Sequence, residues 1–252
     1  MTRKSKIAIL LLVIMIVLIP KNIFADPFTD GLGFVFNDED GTPQATVDSI
    51  KLFIILTVLS LAPSFLILTT SFTRIIIVLS FLRNGLGTQQ SPPNQLLIGL
   101  ALFLTFFIMK PVYTEVLDVA VTPFLEEEIS QSEAMDRAAL PLKEFMLKYT
   151  REKDLALFLR ASGSENPTRP IDTPITTVVP AFAISELRRA FSIGFIIFIP
   201  FLVIDMVVAS ILMSMGMFML PPVMISLPFK ILVFVLVDGW HLVVKSLVES
   251  FI

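Results

Sequence analysis

The sequence predicts an all-α, membrane-associated protein built from helical hairpins with a polar helical insert, preceded by a signal peptide. Hydrophobic residues make up 55% of its 252 residues, and the mean hydropathy is +0.84. Charged residues make up 16%, against roughly 25% in an ordinary soluble domain. Long apolar tracts recur along the chain, whereas alternating strand patterns are nearly absent. Disorder is excluded, and an ordinary water-soluble globule does not fit.

Composition also excludes several classes of function. Nineteen basic and 22 acidic residues give a net charge of −3, which offers no cationic surface for nucleic acid. The absence of cysteine excludes disulfides, thiolate metal sites and cysteine nucleophiles, and a single histidine excludes a multi-histidine metal cluster. We expect no metal, no cofactor and no enzymatic activity, because phosphate-binding and catalytic motifs are missing as well.

The amino terminus has the pattern of a secretory signal peptide. Three cations precede an apolar run, residues 7–19, which is short for a hydrocarbon core of about 30 Å. The helix-breaking Pro20 and the small Ala25 that follow are typical of cleavage after Ala25, giving a signal peptide of residues 1–25. Ile23 is large for its place three residues before the cut, so an uncleaved anchor is the alternative.

Two helical hairpins follow a loose leader segment. Residues 26–48, rich in Asp, Gly, Thr and Pro, form the leader. The hairpins are predicted at residues 49–112 and 191–252, and the second carries a methionine-rich loop. Only the first of their apolar tracts is long and uncharged enough to span a bilayer easily. The tracts are residues 50–73, 96–109, 191–220 and 225–237.

Residues 113–190 predict a polar, mainly helical insert between the hairpins. Ser130 followed by Glu133 is a capping-box pattern that opens a helix with apolar positions at helical spacing. A second short helix is predicted at residues 151–160. The prolines within residues 162–180 predict a long irregular loop.

Charge asymmetry predicts the orientation. Arg74 and Arg83 follow the first tract without a neighbouring acid, whereas the insert is net acidic. The positive-inside rule therefore places the connection between the first two tracts in the cytoplasm and the insert in the periplasm.

Asp205, Lys230 and Asp238 interrupt the apolar tracts of the second hairpin. A charge at membrane depth costs at least ~2.5 kcal/mol on insertion scales, so we expect each to face protein or a water-filled channel. Either carboxylate could pair with Lys230. An ion route and a structural contact with a neighbouring helix or subunit both remain open.

Methionines recur at every second position before a proline pair. The run comprises Met213, Met215, Met217 and Met219, with Phe218 inside it. Steps of two scatter side chains around a helix but align them on one side of an extended segment. Because methionine is flexible and polarizable, such a segment could close an opening around varied passing side chains. Packing within an apolar tract is the alternative.

Several longer motifs resemble the FliP family of flagellar export-gate proteins, over roughly residues 50–252. They are residues 71–78 (SFTRIIIV), 81–87 (FLRNGLG), 92–95 (PPNQ), 101–109 (ALFLTFFIM), 200–205 (PFLVID), 215–217 (MGM), 221–222 (PP), 227–230 (LPFK) and 237–240 (VDGW). Injectisome homologues share much of this pattern, but the leader and the long insert are more typical of the flagellar branch.

The resemblance implies a non-catalytic subunit of the bacterial inner membrane and flagellar basal body. Five such chains are expected to assemble with FliQ and FliR around a channel for unfolded flagellar subunits. By the same resemblance Met217 and Met219 belong to the loop that closes the channel, with Phe218 where a third methionine is common. Phe145 matches a residue thought to line a second constriction.

Three functions compete at this point. The first is a passive, multi-subunit channel for proteins; the second is a secondary transporter or ion channel that uses the carboxylates and Lys230. The third is a scaffold for other export components. Neutralised carboxylates should disable a transporter and a shortened gate should make a channel leak, while a scaffold should tolerate both.

We predict that the mature chain begins at Asp26, because the apolar run, Pro20 and Ala25 together form a processing pattern. Amino-terminal sequencing of the membrane-extracted protein checks this. A mature chain that begins at Met1 would contradict it and would weaken the orientation argued above.

Overall fold

The computed structural model of the protein describes residues 43–88, 90–163 and 167–251, and every regular element in these ranges is helical, as predicted. The predicted signal peptide and most of the leader lie outside the described residues. The α-helices are α1 (Pro43–Thr69), α2 (Phe72–Leu86), α3 (Asn94–Val116), α4 (Thr122–Leu125), α5 (Gln131–Tyr149), α6 (Glu152–Ala161), α7 (Ile175–Ser214), α8 (Pro222–Leu236) and α9 (Gly239–Glu249). A π-helical turn (Leu117–Val121) joins α3 to α4, and a short 3-10 turn (Pro170–Asp172) precedes α7.

The chain divides into two units, residues 1–62 and 63–252. In the first unit, the described residues belong to α1, which begins at Pro43 and so includes the end of the predicted leader. Proline suits the first position of a helix, because its fixed φ is already helical and its missing N–H would be unpaired there anyway.

In the second unit, α2 lies parallel to α7 and forms the centre of the core. Arg74 contacts Glu186 near the start of the pair and Gly85 contacts Phe201 further on, so residue numbers rise together along both helices. The apolar residues of α2 recur at spacings of three and four, which places them on one buried face. These are Ile75, Val78, Leu79, Leu82 and Leu86.

Two glycines allow α2 and α7 to pack closely. A Cβ atom on Gly194 of α7 would lie 2.6 Å from the ring of Phe81, and one on Gly85 of α2 would lie 2.6 Å from the ring of Phe201. Each helix therefore receives an aromatic ring of the other in a gap that only glycine provides.

A second core cluster connects the insert to α7. Ser130 caps α5 by accepting a hydrogen bond from the backbone N–H of Glu133, which confirms the predicted start of this helix. The second short helix is confirmed as α6. The buried residues of this cluster are Met109, Val112, Phe145, Met146, Tyr149, Val178, Phe182 and Phe251.

Two predicted boundaries are wrong. The first tract does not run through residue 73 as one helix, because α1 ends at Thr69 and α2 begins at Phe72. The predicted loop also ends early, since α7 begins at Ile175 and contains Pro180. An interior proline costs a helix roughly 3 kcal/mol, and complete burial of neighbours such as Val178 and Phe182 offsets this cost.

The arginines used to predict orientation make internal contacts. Arg74 is fully buried within α2, and Arg83 donates a hydrogen bond to the Asn94 side chain. Arg74 is therefore not a loop charge. Only Arg83 remains as a positive charge that the positive-inside rule could count for this connection.

Among the described residues, two helical segments are long and apolar enough to cross a membrane. They are Asn94–Leu125 and Ile175–Ser214, and the number rises to four if each of two bent helix pairs counts as one span. One of these pairs is α8 with α9, bent by 64°. Many large apolar side chains on α3, α7 and α8 are exposed, as expected of a chain whose surroundings are lipid or other proteins.

Substituting Gly194→Ala should destabilise the protein by about 1–3 kcal/mol, because the new methyl group would displace the Phe81 ring from a filled core. Gly99→Ala is the matched control, since Gly99 also lies within a helix but has no atom within 4 Å of an added Cβ. Thermal unfolding in detergent measures both. Equal melting temperatures for the two variants would contradict the packing argument.

Candidate gate loop and its polar base

The methionine-rich segment begins where α7 ends at a Schellman motif. Gly216 adopts φ +75°, its N–H donates to the carbonyl of Met213, and the Met217 N–H donates to the carbonyl of Leu212. This pair of hydrogen bonds with a left-handed glycine is the common way to stop a helix. The predicted departure from helix at Gly216 is confirmed.

The predicted extended conformation of the segment is wrong. Met213 still belongs to α7, and Phe218 and Met219 form a turn before Pro221. Proline at 221 restricts the preceding residue, and α8 begins directly after it, so only a few residues remain for the reversal of the chain.

The loop is the most exposed apolar surface of the described chain. Met219 is 97% exposed and Phe218 is 78% exposed, and the other methionines of the run are partly or largely exposed. These side chains do not fill the core of the described chain. An exposed cluster of flexible apolar side chains is what a seal against further subunits requires.

A polar cluster joins α7 and α8, the two helices that flank the loop. Lys230 of α8 is 3% exposed, and its Nζ lies 2.6 Å from Oδ2 of Asp205 on α7. Ser226 donates to the other carboxylate oxygen, and Lys230 also donates to the Gly85 carbonyl over 3.1 Å. The predicted pairing of Asp205 with Lys230 is therefore present.

The structure gives Asp238 a different place. It is exposed, adopts φ 51°, and makes no ion pair with Lys230 among the described residues. Aspartate tolerates this left-handed conformation better than most residues, and it occurs where the chain bends from α8 into α9. Gly239 follows because a Cβ atom there would lie 2.2 Å from the Phe234 ring. Asp238 is therefore exposed at the bend between α8 and α9, and the expectation that it faces another subunit or a water-filled channel stays a prediction.

Phe145, the predicted second constriction, lies in the core of the chain. Its ring stacks on Phe251 at a centroid distance of 6.2 Å and meets Tyr149 and Phe182 edge-on or tilted. A channel-lining role for Phe145 stays a prediction.

Sequence reasoning missed the pairing of Arg74 with Glu186. Both side chains are fully buried, and two hydrogen bonds of 2.8 and 2.5 Å join them. Burial lowers the pKa of the Arg74 guanidinium, and the bonds to Glu186 oppose this shift. Arg74 stands alone in an apolar stretch of sequence, and this isolation was the available signal, whereas Glu186 lies next to Arg188 and Arg189 and gives none.

The described residues contain no cluster of three or more histidine, cysteine, aspartate or glutamate side chains that could hold a metal ion. Long apolar helices, an exposed methionine loop and neutralised buried charges define a helical membrane protein whose distinctive site is a surface loop.

The chain belongs to the FliP family, whose sequence pattern matches residues 55–247. It is similar to the flagellar biosynthetic protein FliP of Bacillus subtilis, with 62% identity over 217 residues, covering 86% of this chain and 97% of the relative. The FliP proteins of Caulobacter vibrioides (57% identity, 80% of this chain, 76% of the relative) and Aquifex aeolicus (54%, 81% and 87%) are also similar.

Replacing only one member of the ion pair should reduce assembly. Asp205→Ala leaves a buried ammonium, at a cost of about 3–5 kcal/mol. Lys230→Ala leaves the Asp205 carboxylate without its cation at a smaller cost, because that side chain is 30% exposed to solvent. Lys245→Ala is the control, because Lys245 and Glu249 form an exposed pair at 3.8 Å worth at most about 1 kcal/mol. The yield of detergent-extracted complex measures the effect. Normal yield with abolished export would instead favour an ion route.

Proposed function

We propose that this chain is a core subunit of the flagellar type III protein export gate. In this proposal it assembles with FliQ, FliR and further copies of itself, five in all, around a channel for unfolded flagellar subunits. It resides in the bacterial inner membrane and flagellar basal body, with the insert on the periplasmic side. It conducts substrate passively and catalyses no reaction.

The observation that carries the proposal is the exposed methionine loop between two apolar helices. Met217, Phe218 and Met219 project from the chain beyond a helix stop and have no core to fill. Arranged around a symmetry axis, several such loops would meet and close the opening with deformable apolar side chains. Phe218 is stiffer than methionine and adds a ring to the seal.

The exposed apolar faces support assembly. Large side chains stand exposed on α3 and α8, among them Phe103, Phe107 and Leu236. Lipid covers part of such a surface, but the helices are broken and carry polar interruptions, which favours burial against other subunits. The family membership supports a flagellar role.

The geometry does not favour the transporter. A proton or ion route needs a carboxylate free to exchange its partner, yet Asp205 is engaged by both Lys230 and Ser226. Asp238 lies exposed at the bend between α8 and α9 and makes no ion pair with Lys230 among the described residues. For Phe145, we propose that its ring supports the channel wall from within the core.

The triple variant Met217→Ala, Phe218→Ala, Met219→Ala should assemble normally and make cells leaky. Exposed side chains contribute little to the stability of the chain, whereas a seal depends on their volume. The measurement is flux of small solutes or ions across cells that make the variant, divided by the amount of complex recovered from the same cells.

Met135→Ala serves as the control, because Met135 is comparably exposed but lies on α5 in the insert. If the triple variant assembles fully and its membranes stay tight, the loop is not a seal and the proposal fails. If it lowers the yield instead, the loop is packing material.

A further inference from the structure

The polar cluster under the gate loop joins the two helices that carry it. Asp205 stands on α7 before the loop, and Ser226 and Lys230 stand on α8 after it. Ser226 is completely buried and donates to one carboxylate oxygen of Asp205, while the Lys230 ammonium binds the other at 2.6 Å. Both oxygens of the carboxylate are thereby used to bind α8.

The same cluster ties the base of the loop to the core of the protein. The Lys230 ammonium donates to the carbonyl of Gly85 in the last turn of α2, which ends at the left-handed Gly87. Carbonyls at the end of a helix lack partners within the helix and attract cations. Lys230 satisfies one of these carbonyls. The ammonium group of this α8 residue therefore contacts both α2, through Gly85, and α7, through Asp205.

We propose that Asp205, Ser226 and Lys230 are positioning residues of the gate: they hold α7 and α8 at a fixed separation, so that the loop opens by changing its own backbone while its two helices stay together. This inference rests on the proposed function of the loop. The inference goes beyond a role in assembly, because it states that the cluster keeps the assembled channel closed.

The loop itself has the features of the moving part. No atom lies within 4 Å of a Cβ built on Gly216, and the residues between it and Pro221 are exposed. A short segment with few contacts rearranges more easily than two helices joined by buried ionic hydrogen bonds. Rearrangement is therefore confined to the residues that follow the helix stop.

Two buried serines provide a matched pair of variants. Ser226 donates to Asp205, which Lys230 neutralises; Ser185 donates to Asp154 over 2.7 Å, which Arg151 neutralises. Both serines are almost fully buried, at 0% and 1% exposure. Ser226→Ala and Ser185→Ala each remove one hydrogen bond to a carboxylate and leave both charges paired. Ser185→Ala also removes the acceptor of the Arg151 backbone N–H, so it is the more disruptive change of the two. Ser226 lies in the second turn of α8, close to the loop along the chain, whereas Ser185 lies near the start of α7, far from the loop.

The test measures solute leak per recovered complex in cells that make either serine variant, with the loop triple variant in parallel. Loss of a hydrogen bond to a charged group shifts a two-state equilibrium by about tenfold, so we expect the Ser226→Ala complex to leak several times more than native. The Ser185→Ala complex should stay tight at equal yield.

The outcomes separate this inference from the function on which it rests. If the triple variant leaks while Ser226→Ala assembles and stays tight, the positioning role is wrong and the seal stands. Equal leak from both serine variants also overturns it, because the effect would then be general packing. A tight triple variant refutes the seal, and with it this inference.

If the Ser226→Ala variant does not assemble, a double variant provides a second test. Asp205→Leu with Lys230→Met removes both charges together and avoids the unpaired ion that either single change leaves, so assembly is expected to persist. The double variant should leak at normal yield. Loss of assembly in the double variant as well would assign the cluster to structure alone and overturn the proposal.

Discussion

The buried contact between Arg74 and Glu186 is the constraint on which the arrangement of the helices depends. A fully buried guanidinium is tolerated only when its hydrogen bonds are satisfied. Here two bonds go to Glu186 of α7 and two more go to Ser250, while the Cζ atom of Arg74 lies over the Phe251 ring, 3.5 Å from its centre. One cation thus determines where α2, α7 and the residues after α9 meet.

Close packing then follows from small residues next to large ones. Because α2 and α7 are aligned by their ion pair, Phe81 meets Gly194 and Phe201 meets Gly85 without steric conflict. The apolar surface that remains exposed lies on α3, α8, the loop and the face of α7 that is turned away from α2. The buried charges of Arg74, Glu186 and Lys230 are paired within the chain. The exposed apolar side chains are available for contact with lipid or with other proteins.

Composition and periodicity were sufficient to predict the helical class, the capped start of α5 and the short α6, and to leave two carboxylates, Asp205 and Asp238, as partners of Lys230. These features depend on local patterns or on the cost of an isolated charge in an apolar stretch. Tertiary contacts decided the rest. Pro180 signalled a loop, but burial of its neighbours made it part of α7.

In the candidate site, too, some features follow from local sequence and others depend on tertiary contacts. Gly216 marked the end of α7 correctly, because a left-handed glycine is a local requirement. The turn at residues 218–219 and the left-handed backbone of Asp238 could not be inferred from spacing, since both depend on how α8 packs against the other helices. Arg74 was assigned to a loop because its partner lies 112 residues away in sequence.

That separation matters during biosynthesis. A ribosome adds about 5–20 residues per second, so Arg74 exists for roughly 6–22 seconds before Glu186 is made, and longer before Ser250 appears. During this interval α2 carries an unpaired cation within an otherwise apolar sequence, and a lipid environment would penalise it. The nascent α2 is therefore more stable near water or within an insertion machinery than in lipid until α7 has been synthesised. The speed of translation through residues 75–186 therefore sets how long α2 remains without the partner of Arg74.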